Sequence, residues 1–150
     1  MTARRFGPGL VLAAGSLILL LAIGSRAGQG LFLRPMTAEF GWSREAFSFA
    51  LAVYQIVFGL GGVFLGALAD KFGTGRVIFA AALTLVAGTV LQALGDSLFT
   101  LNLGAGVLAG IGVGGCGFGV VMAAMARAWP AERRSFVYGV GTAVSSLGQF

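Results

Sequence analysis

The amino-acid sequence predicts an all-α membrane protein, and three observations lead to that prediction. Apolar residues make up 57% of the chain and charged residues only 10%, and the mean hydropathy is +0.94. A soluble domain of average composition has about 25% charged residues. The apolar residues form runs of about 20, the length that an α-helix needs to cross a hydrocarbon core of about 30 Å. Most of the charged residues fall between those runs.

Five apolar segments predict five membrane-spanning helices within the 150 residues. The predicted spans cover residues 9–33, 46–69, 77–95, 100–125 and 135–150. The fifth span is still apolar at the last residue, and a helix of about 16 residues would end inside the hydrocarbon with unpaired carbonyl groups. We therefore expect residues 1–150 to be the incomplete N-terminal transmembrane half of a longer protein.

Charged and capping residues set the ends of the first two spans. Arg4 and Arg5 precede the first span. This span exceeds the apolar core of a signal peptide, which has about 7–15 residues, so we expect it to be retained. In the segment GWSRE, Ser43 can cap the start of the second span. Glu45 then lies in the first turn, near the positive end of the helix dipole.

Short polar connections separate the remaining spans. The segment GALADKFGTGR, residues 66–76, joins the second span to the third, Asp96 follows the third, and WPAERR precedes the fifth. The fourth span is rich in glycine, and Gly106, Gly110 and Gly114 recur at every fourth position. Small residues at this spacing let two membrane helices approach closely. We predict that these three glycines pack against a neighbouring helix.

The segment GVGGCG, residues 112–117, allows a second interpretation of the fourth span. It fits the G-x-G-x-x-G pattern of dinucleotide-binding folds, in which the glycines follow a strand and open a helix. Here the segment lies within one long apolar run. Helix packing is therefore the preferred interpretation of its glycines.

The basic residues predict the orientation in the membrane. If the connections alternate between the two sides, seven of the ten basic residues share one side. These are Arg4, Arg5, Lys71, Arg76, Arg127, Arg133 and Arg134. Because cytoplasmic loops are enriched in basic residues, we predict a multi-pass protein of the cell (inner) membrane with a cytoplasmic N-terminus. Trp42 and Trp129 then fall at opposite membrane interfaces, and the scattered charges do not predict nucleic-acid binding.

The residue composition excludes most enzyme chemistry. Cys116 is the one cysteine, and the chain has no histidine. Disulfide scaffolds, zinc sites with several Cys or His ligands, and Ser-His-Asp or Cys-His catalysis are therefore excluded. Asp70 and Glu132 are lone acids in loops, without a second carboxylate for acid-base or metal chemistry. We predict no enzymatic activity, no cofactor and no metal.

The connection at residues 66–76 resembles the loop signature of the major facilitator superfamily, G-x-x-x-D-[RK]-x-G-x-[RK]-[RK]. The matching residues are Gly66, Asp70, Lys71, Gly73 and Arg76, and Gly75 stands where a basic residue is usual. The segment WPAERRSF also resembles the loop before the fifth helix of this superfamily. The resemblance implies helices 1–5 of a twelve-helix fold, with a first inverted repeat of three helices and a second that needs a sixth. It also implies transport by alternating access, with the acid and the bases of the signature in a cytoplasmic ion-pair network that gates the transition.

A narrower resemblance concerns the substrate. The segment GLFLRPMTAEFGWSREAFSFALA, residues 30–52, is similar to the corresponding part of monocarboxylate and oxalate-formate carriers. Many drug-proton antiporters have an arginine at the position of Gly106. The resemblance therefore implies a small organic anion as substrate, possibly moved with a coupling proton, and a basic residue of helix one in the substrate site.

Arg26 places a positive charge inside the first predicted span. An arginine in mid-membrane costs about 2.5–3.5 kcal/mol on insertion scales, so it should face water or a partner rather than lipid. Its planar guanidinium matches a carboxylate. The predicted substrate-binding residues are Arg26, Gln29, Tyr54 and Gln55. The structural alternative is an arginine that snorkels outward or bonds backbone carbonyls where Gly24, Gly28 and Gly30 loosen the helix.

Two other functions remain open at this point. A small carrier that assembles from several copies would suit the chain length, although the first span lacks the acidic residue on which four-helix multidrug exporters rely. A membrane module that binds a partner through its glycine faces would give Arg26 no role.

The fifth span has a polar face of its own. Tyr138, Thr142, Ser145 and Gln149 share one side of the predicted helix. Either helix packing or a cavity wall explains this face.

Overall fold

The computed structural model describes residues 7–32, 35, 38, 41 and 43–150, and it confirms the predicted all-α architecture. The helices are α1 (Pro8–Gly28), α2 (Arg44–Phe72), α3 (Thr74–Leu94), α4 (Leu98–Arg127) and α5 (Arg134–Leu147). Short 3-10 turns at Gln29–Phe32 and Ala131–Arg133 extend α1 and precede α5. Among the described residues, four helices, α1 to α4, are long and apolar enough to cross a membrane.

The ends of α1, α2 and α3 follow from local chemistry. Pro8 occupies the first turn of α1, where its missing N–H is not needed. The Ser43 hydroxyl caps α2 as predicted and accepts a hydrogen bond of 3.2 Å from the backbone N–H of Ala46. Gly73 has a φ of +95°, which a residue with a Cβ rarely adopts, and it separates α2 from α3 by a single residue.

The helix α4 departs from the single regular helix that the sequence predicts. It is π-helical over Asn102–Leu108, α-helical over Ala109–Cys116, extended at Gly117 with a ψ of −174°, and α-helical again over Phe118–Arg127. The part before Gly117 packs mainly against α2 and α3, whereas the part after it also packs against α1 and α5. The break therefore lies where α4 changes its neighbours.

Glycines bring the backbone of α4 close to its neighbours on two sides. On the side of α2, a methyl group added at Gly110 would lie 3.0 Å from the carbonyl oxygen of Tyr54, and one added at Gly106 or Gly114 would lie 3.2 Å from its nearest neighbour on α2. On the side of α3, a methyl group at Gly112 would lie 2.6 Å from the Cβ of Leu85. The three glycines that the sequence predicts for packing thus all face α2.

The other close helix pair is α1 with α5. A methyl group at Gly24 would lie 2.6 Å from the carbonyl oxygen of Gly148. A buried cluster beside this pair joins α1 and α5 to the second part of α4, and it contains Leu19, Val121, Met122, Met125 and Val137. In two structural repeats of three helices, α1 corresponds to α4 and α2 corresponds to α5. The close pair α1–α5 therefore corresponds to the close pair α4–α2, as expected of two repeats.

The polar residues predicted on α5 divide between packing and a cavity. Ser145 is buried, and its hydroxyl donates a hydrogen bond of 2.8 Å to the carbonyl oxygen of Thr142. Tyr138 and the Thr142 side chain line a cavity of about 400 Å³ against the second part of α4. Gln149 is exposed.

Some of the predicted interface residues lie outside the described residues. These are Arg4, Arg5 and Trp42. The Trp129 indole N–H donates a hydrogen bond of 3.1 Å to the carbonyl oxygen of Pro8, so Trp129 lies level with the start of α1.

Candidate functional site

A cavity of about 230 Å³ lies between the end of α1 and the first half of α2. Its lining residues are Arg26, Gln29, Gly30, Leu51, Tyr54 and Gln55. The structure therefore brings the four predicted substrate-binding side chains to one place. A larger cavity of about 450 Å³ between α1, α3 and α4 is lined almost entirely by apolar groups and has no charged side chain. The smaller cavity is the better candidate for a charged ligand.

The Arg26 side chain is exposed and lies on the side of α1 that faces α2. It lies in the last turn of α1. The Arg26 Cζ lies 5.6 Å from the centroid of the Phe58 ring, within the range of a cation–π contact. Within the described part of the chain, no hydrogen bond occupies the guanidinium.

Phe58 supports Arg26 from α2 and is not among the residues predicted from the sequence. Its ring is nearly parallel to that of Tyr54, with an angle of 4° and 6.1 Å between the centroids. Residues four apart share one face of a helix, so Tyr54 carries the only sequence signal that points to Phe58. Phe58 therefore contacts both Arg26 and Tyr54, two residues that line the cavity.

Gln29 and Tyr54 contribute unpaired polar groups. Gln29 is only 7% exposed and Tyr54 only 2% exposed. Among the described residues, neither the Gln29 Oε1 nor the Tyr54 Oη has a hydrogen-bond partner. A buried polar group without a partner costs about 1–3 kcal/mol, so both groups favour a ligand that can bond them. Gln55 is exposed at the edge of the cavity.

The signature loop lies at the other end of the helices and forms a second polar site. The Arg127 guanidinium bonds an Asp70 carboxylate oxygen at 2.8 Å and the Thr74 hydroxyl at 3.2 Å. This contact joins the end of α4 to the connection between α2 and α3. The sequence analysis used Arg127 only to predict the orientation in the membrane. Its predicted position on the same side of the membrane as Asp70 was the one sequence signal for this ion pair.

The two basic residues that the signature predicts for this network, Lys71 and Arg76, do not pair with Asp70 among the described residues. The Lys71 Nζ is 5.4 Å from the centroid of the Phe72 ring, and Arg76 lies beside an apolar groove between α2 and α3. Consecutive residues of a helix point in different directions, so Lys71 does not face the neighbouring Asp70. Gly66 has open space over its Cα, and Gly73 makes the turn between the helices. Among the described residues, the ion pair of this loop is the one between Asp70 and Arg127.

Comparison with known proteins places the chain in a family. The family profile described as Major Facilitator Superfamily matches residues 8–150. A protein of Haemophilus influenzae, whose name assigns it to metabolite transport, is 43% identical over 75 residues. This match covers 50% of the chain and 18% of that relative, so the chain spans less than a fifth of the relative's length. The described helices correspond to the N-terminal part of the family's fold, as predicted, and the chain belongs to the major facilitator superfamily of membrane transporters.

Proposed function

We propose that the chain is the N-terminal transmembrane part of a secondary transporter that moves a small organic anion by alternating access. The observation that carries this proposal is the guanidinium of Arg26, which lines a cavity between two apolar helices and has no hydrogen-bond partner among the described residues. A guanidinium that faces a water-filled cavity stays hydrated until an anion replaces the water. This hydration lowers the free-energy cost of placing the charge within an apolar span. Membership of the superfamily and the metabolite-transport name of the relative support transport as the activity.

The cavity favours a small monocarboxylate-like anion. The guanidinium presents parallel N–H groups that match the two oxygens of a carboxylate. The cavity has a volume of about 230 Å³. The opposite wall of the site is proposed to come from the second half of the carrier, and a proton is a candidate coupling ion.

An uptake experiment tests the choice of an anion. We expect the full-length carrier in proteoliposomes to take up labelled propanoate with saturation, and unlabelled propanoate to compete. Propanamide has the same shape without the charge, so it should not compete at the same concentration. Equal competition by the amide, or uptake that does not saturate, would contradict the proposal.

The proposed orientation places the N-terminus in the cytoplasm of the cell (inner) membrane. Support comes from the basic residues of the connections, including Arg133 and Arg134. A cysteine introduced at Asp96 should react with a membrane-impermeant thiol reagent added outside intact cells. A cysteine introduced at Arg133 should react only after permeabilisation, and the reverse pattern would show the opposite orientation. Cys116 is buried, which keeps the background labelling low.

A further inference from the structure

We propose that an anionic phospholipid binds in a groove between α2 and α3, with its phosphate on Arg76 and one acyl chain along the two helices. We call this site the α2–α3 groove. It shares no lining residue with the cavity around Arg26, so the inference does not depend on the identity of the transported anion. It adds a specific lipid to the proposed function.

The α2–α3 groove has a volume of about 200 Å³, and its lining is apolar except for Arg76 and Thr84. On α2 it is lined by Leu65, Leu68 and Phe72, which share one face of the helix. On α3 it extends from Arg76 to Thr84, a length of about 12 Å at 1.5 Å per residue. The groove therefore runs along two helices that are long and apolar enough to span a membrane, the direction that an acyl chain of a bilayer follows.

The one uncharged polar group of the lining does not require a polar ligand. The Thr84 hydroxyl donates a hydrogen bond of 2.9 Å to the carbonyl oxygen of Ala80, one turn earlier in α3. Hydrocarbon can therefore fill this part of the groove without leaving a buried donor unpaired. Leu68 and Phe72 are 45% and 54% exposed, so a chain in the groove finds apolar surface to contact.

The charged end of the groove selects the headgroup, because an acyl chain of any phospholipid could fill the apolar part. Arg76 is the third residue of α3 and carries no salt bridge among the described residues, since Asp70 pairs with Arg127. Lys71 adds a second positive charge, with its Nζ 5.4 Å from the centroid of the Phe72 ring. Both cations lie at the connection between two spans, the level of lipid phosphates. A guanidinium binds a phosphate through paired N–H groups, and basic residues at this level favour anionic lipids.

Photolabelling of the full-length carrier tests the inference. The probe is phosphatidylglycerol with a diazirine in one acyl chain, used at a low mole fraction in phosphatidylcholine proteoliposomes, and the labelled peptide is identified by mass spectrometry. We expect label on residues 65–84, suppressed by unlabelled phosphatidylglycerol but not by added phosphatidylcholine. Glycerol 3-phosphate supplies the phosphate without acyl chains, so it should not compete.

Two variants address the two parts of the lipid. Arg76→Gln removes one charge near the membrane surface and should lower the labelling of this segment about fivefold. Ala80→Phe places a ring in the groove from an exposed position and should also lower the labelling while the charge remains. The matched controls are Arg134→Gln, an exposed arginine at the start of α5, and Ala87→Phe, an exposed alanine two turns further along α3. Neither control residue lines the groove, so both should label like the wild type.

Each contrary outcome overturns a stated part of the inference. Equal suppression by the two phospholipids, or unchanged labelling of Arg76→Gln, would overturn recognition of the phosphate. Unchanged labelling of Ala80→Phe would show that the acyl chain does not lie in the groove. Absence of label on residues 65–84 would mean that another part of the carrier covers the groove, and would overturn the site as a whole. None of these results alters the anion uptake that tests the proposed function.

Discussion

Replacing Arg26 with alanine in the full-length carrier should abolish saturable uptake of small carboxylates while the protein still inserts into the membrane. The guanidinium is the one cation that lines the cavity among the described residues, so its loss removes both the charge and the paired donors. Removing one partner of a hydrogen-bonded charge pair costs about 2–5 kcal/mol or more, which corresponds to at least about a thirtyfold loss of affinity.

Graded variants separate charge from geometry at this position. Arg26→Lys keeps the positive charge but replaces the planar fork by a single ammonium group, so its affinity should lie between those of the wild type and Arg26→Ala. Arg44→Ala is the matched control, because Arg44 is an exposed arginine at the start of α2, outside the cavity. The measurement is the concentration dependence of uptake, corrected for the amount of folded carrier in the membrane. Unchanged apparent affinity in Arg26→Ala would assign Arg26 a structural role.

The long helices could be predicted from the sequence because membrane insertion depends on hydropathy and length. A run of about 20 apolar residues has few alternatives to a helix in lipid, where every backbone group needs an internal partner. The irregularities of α4 could not be predicted in this way. Hydropathy does not report the contact of Gly112 with the α3 backbone or the extended conformation at Gly117.

The candidate site could be predicted in part, because one of its residues is a charged side chain in an apolar span, where burial in lipid has a high free-energy cost. Arg26 stands out because a charge in an apolar span requires compensation, and Gln29 follows from helical spacing. The side chains that contact Arg26 and Asp70 from other helices could not be predicted from the sequence. Phe58 is one of 13 phenylalanines, and the resemblance assigned Lys71 and Arg76 rather than Arg127 to the ion-pair network of Asp70.

The packing also bears on the interaction module that the sequence leaves open. That alternative needs glycine faces that are free for a partner. Gly106, Gly110 and Gly114 all contact α2 within the chain, with neighbours at 3.2 Å or less. The glycine face of α4 is therefore already occupied, which favours the transporter over the module.

The contact between Asp70 and Arg127 suggests how the signature loop influences transport. Arg127 ends the second part of α4, which follows the break at Gly117. The ion pair therefore holds this part of α4 to the connection between α2 and α3. Loss of the pair would remove one contact that holds the end of α4 to this connection, while the buried cluster with α1 and α5 remains. We propose that this contact favours one of the two conformations of the alternating-access cycle.

Asp70→Asn in the full-length carrier should therefore slow transport more than it weakens substrate binding. Asp70 lies at the end of α2 remote from the cavity, so the change should alter the ratio of conformations rather than the contacts with substrate. The Arg127 and Asp70 side chains are 52% and 67% exposed, and exposed pairs contribute about 0.2–1 kcal/mol. We expect a decrease in the exchange rate of at most about fivefold, and a similar decrease for Arg127→Gln.

A double-mutant cycle assigns this effect to the ion pair. Asp70→Asn combined with Arg127→Gln should exchange substrate no more slowly than either single variant, because both remove the same interaction. Lys71→Gln changes the net charge as Arg127→Gln does, but Lys71 lies over Phe72 rather than Asp70, so it serves as the control. Exchanging the two charges in Asp70→Arg with Arg127→Asp should recover part of the rate. Additive losses of exchange rate in the double variant would show that the two residues act independently. Normal exchange with weakened substrate binding would contradict a role of the ion pair in the conformational change.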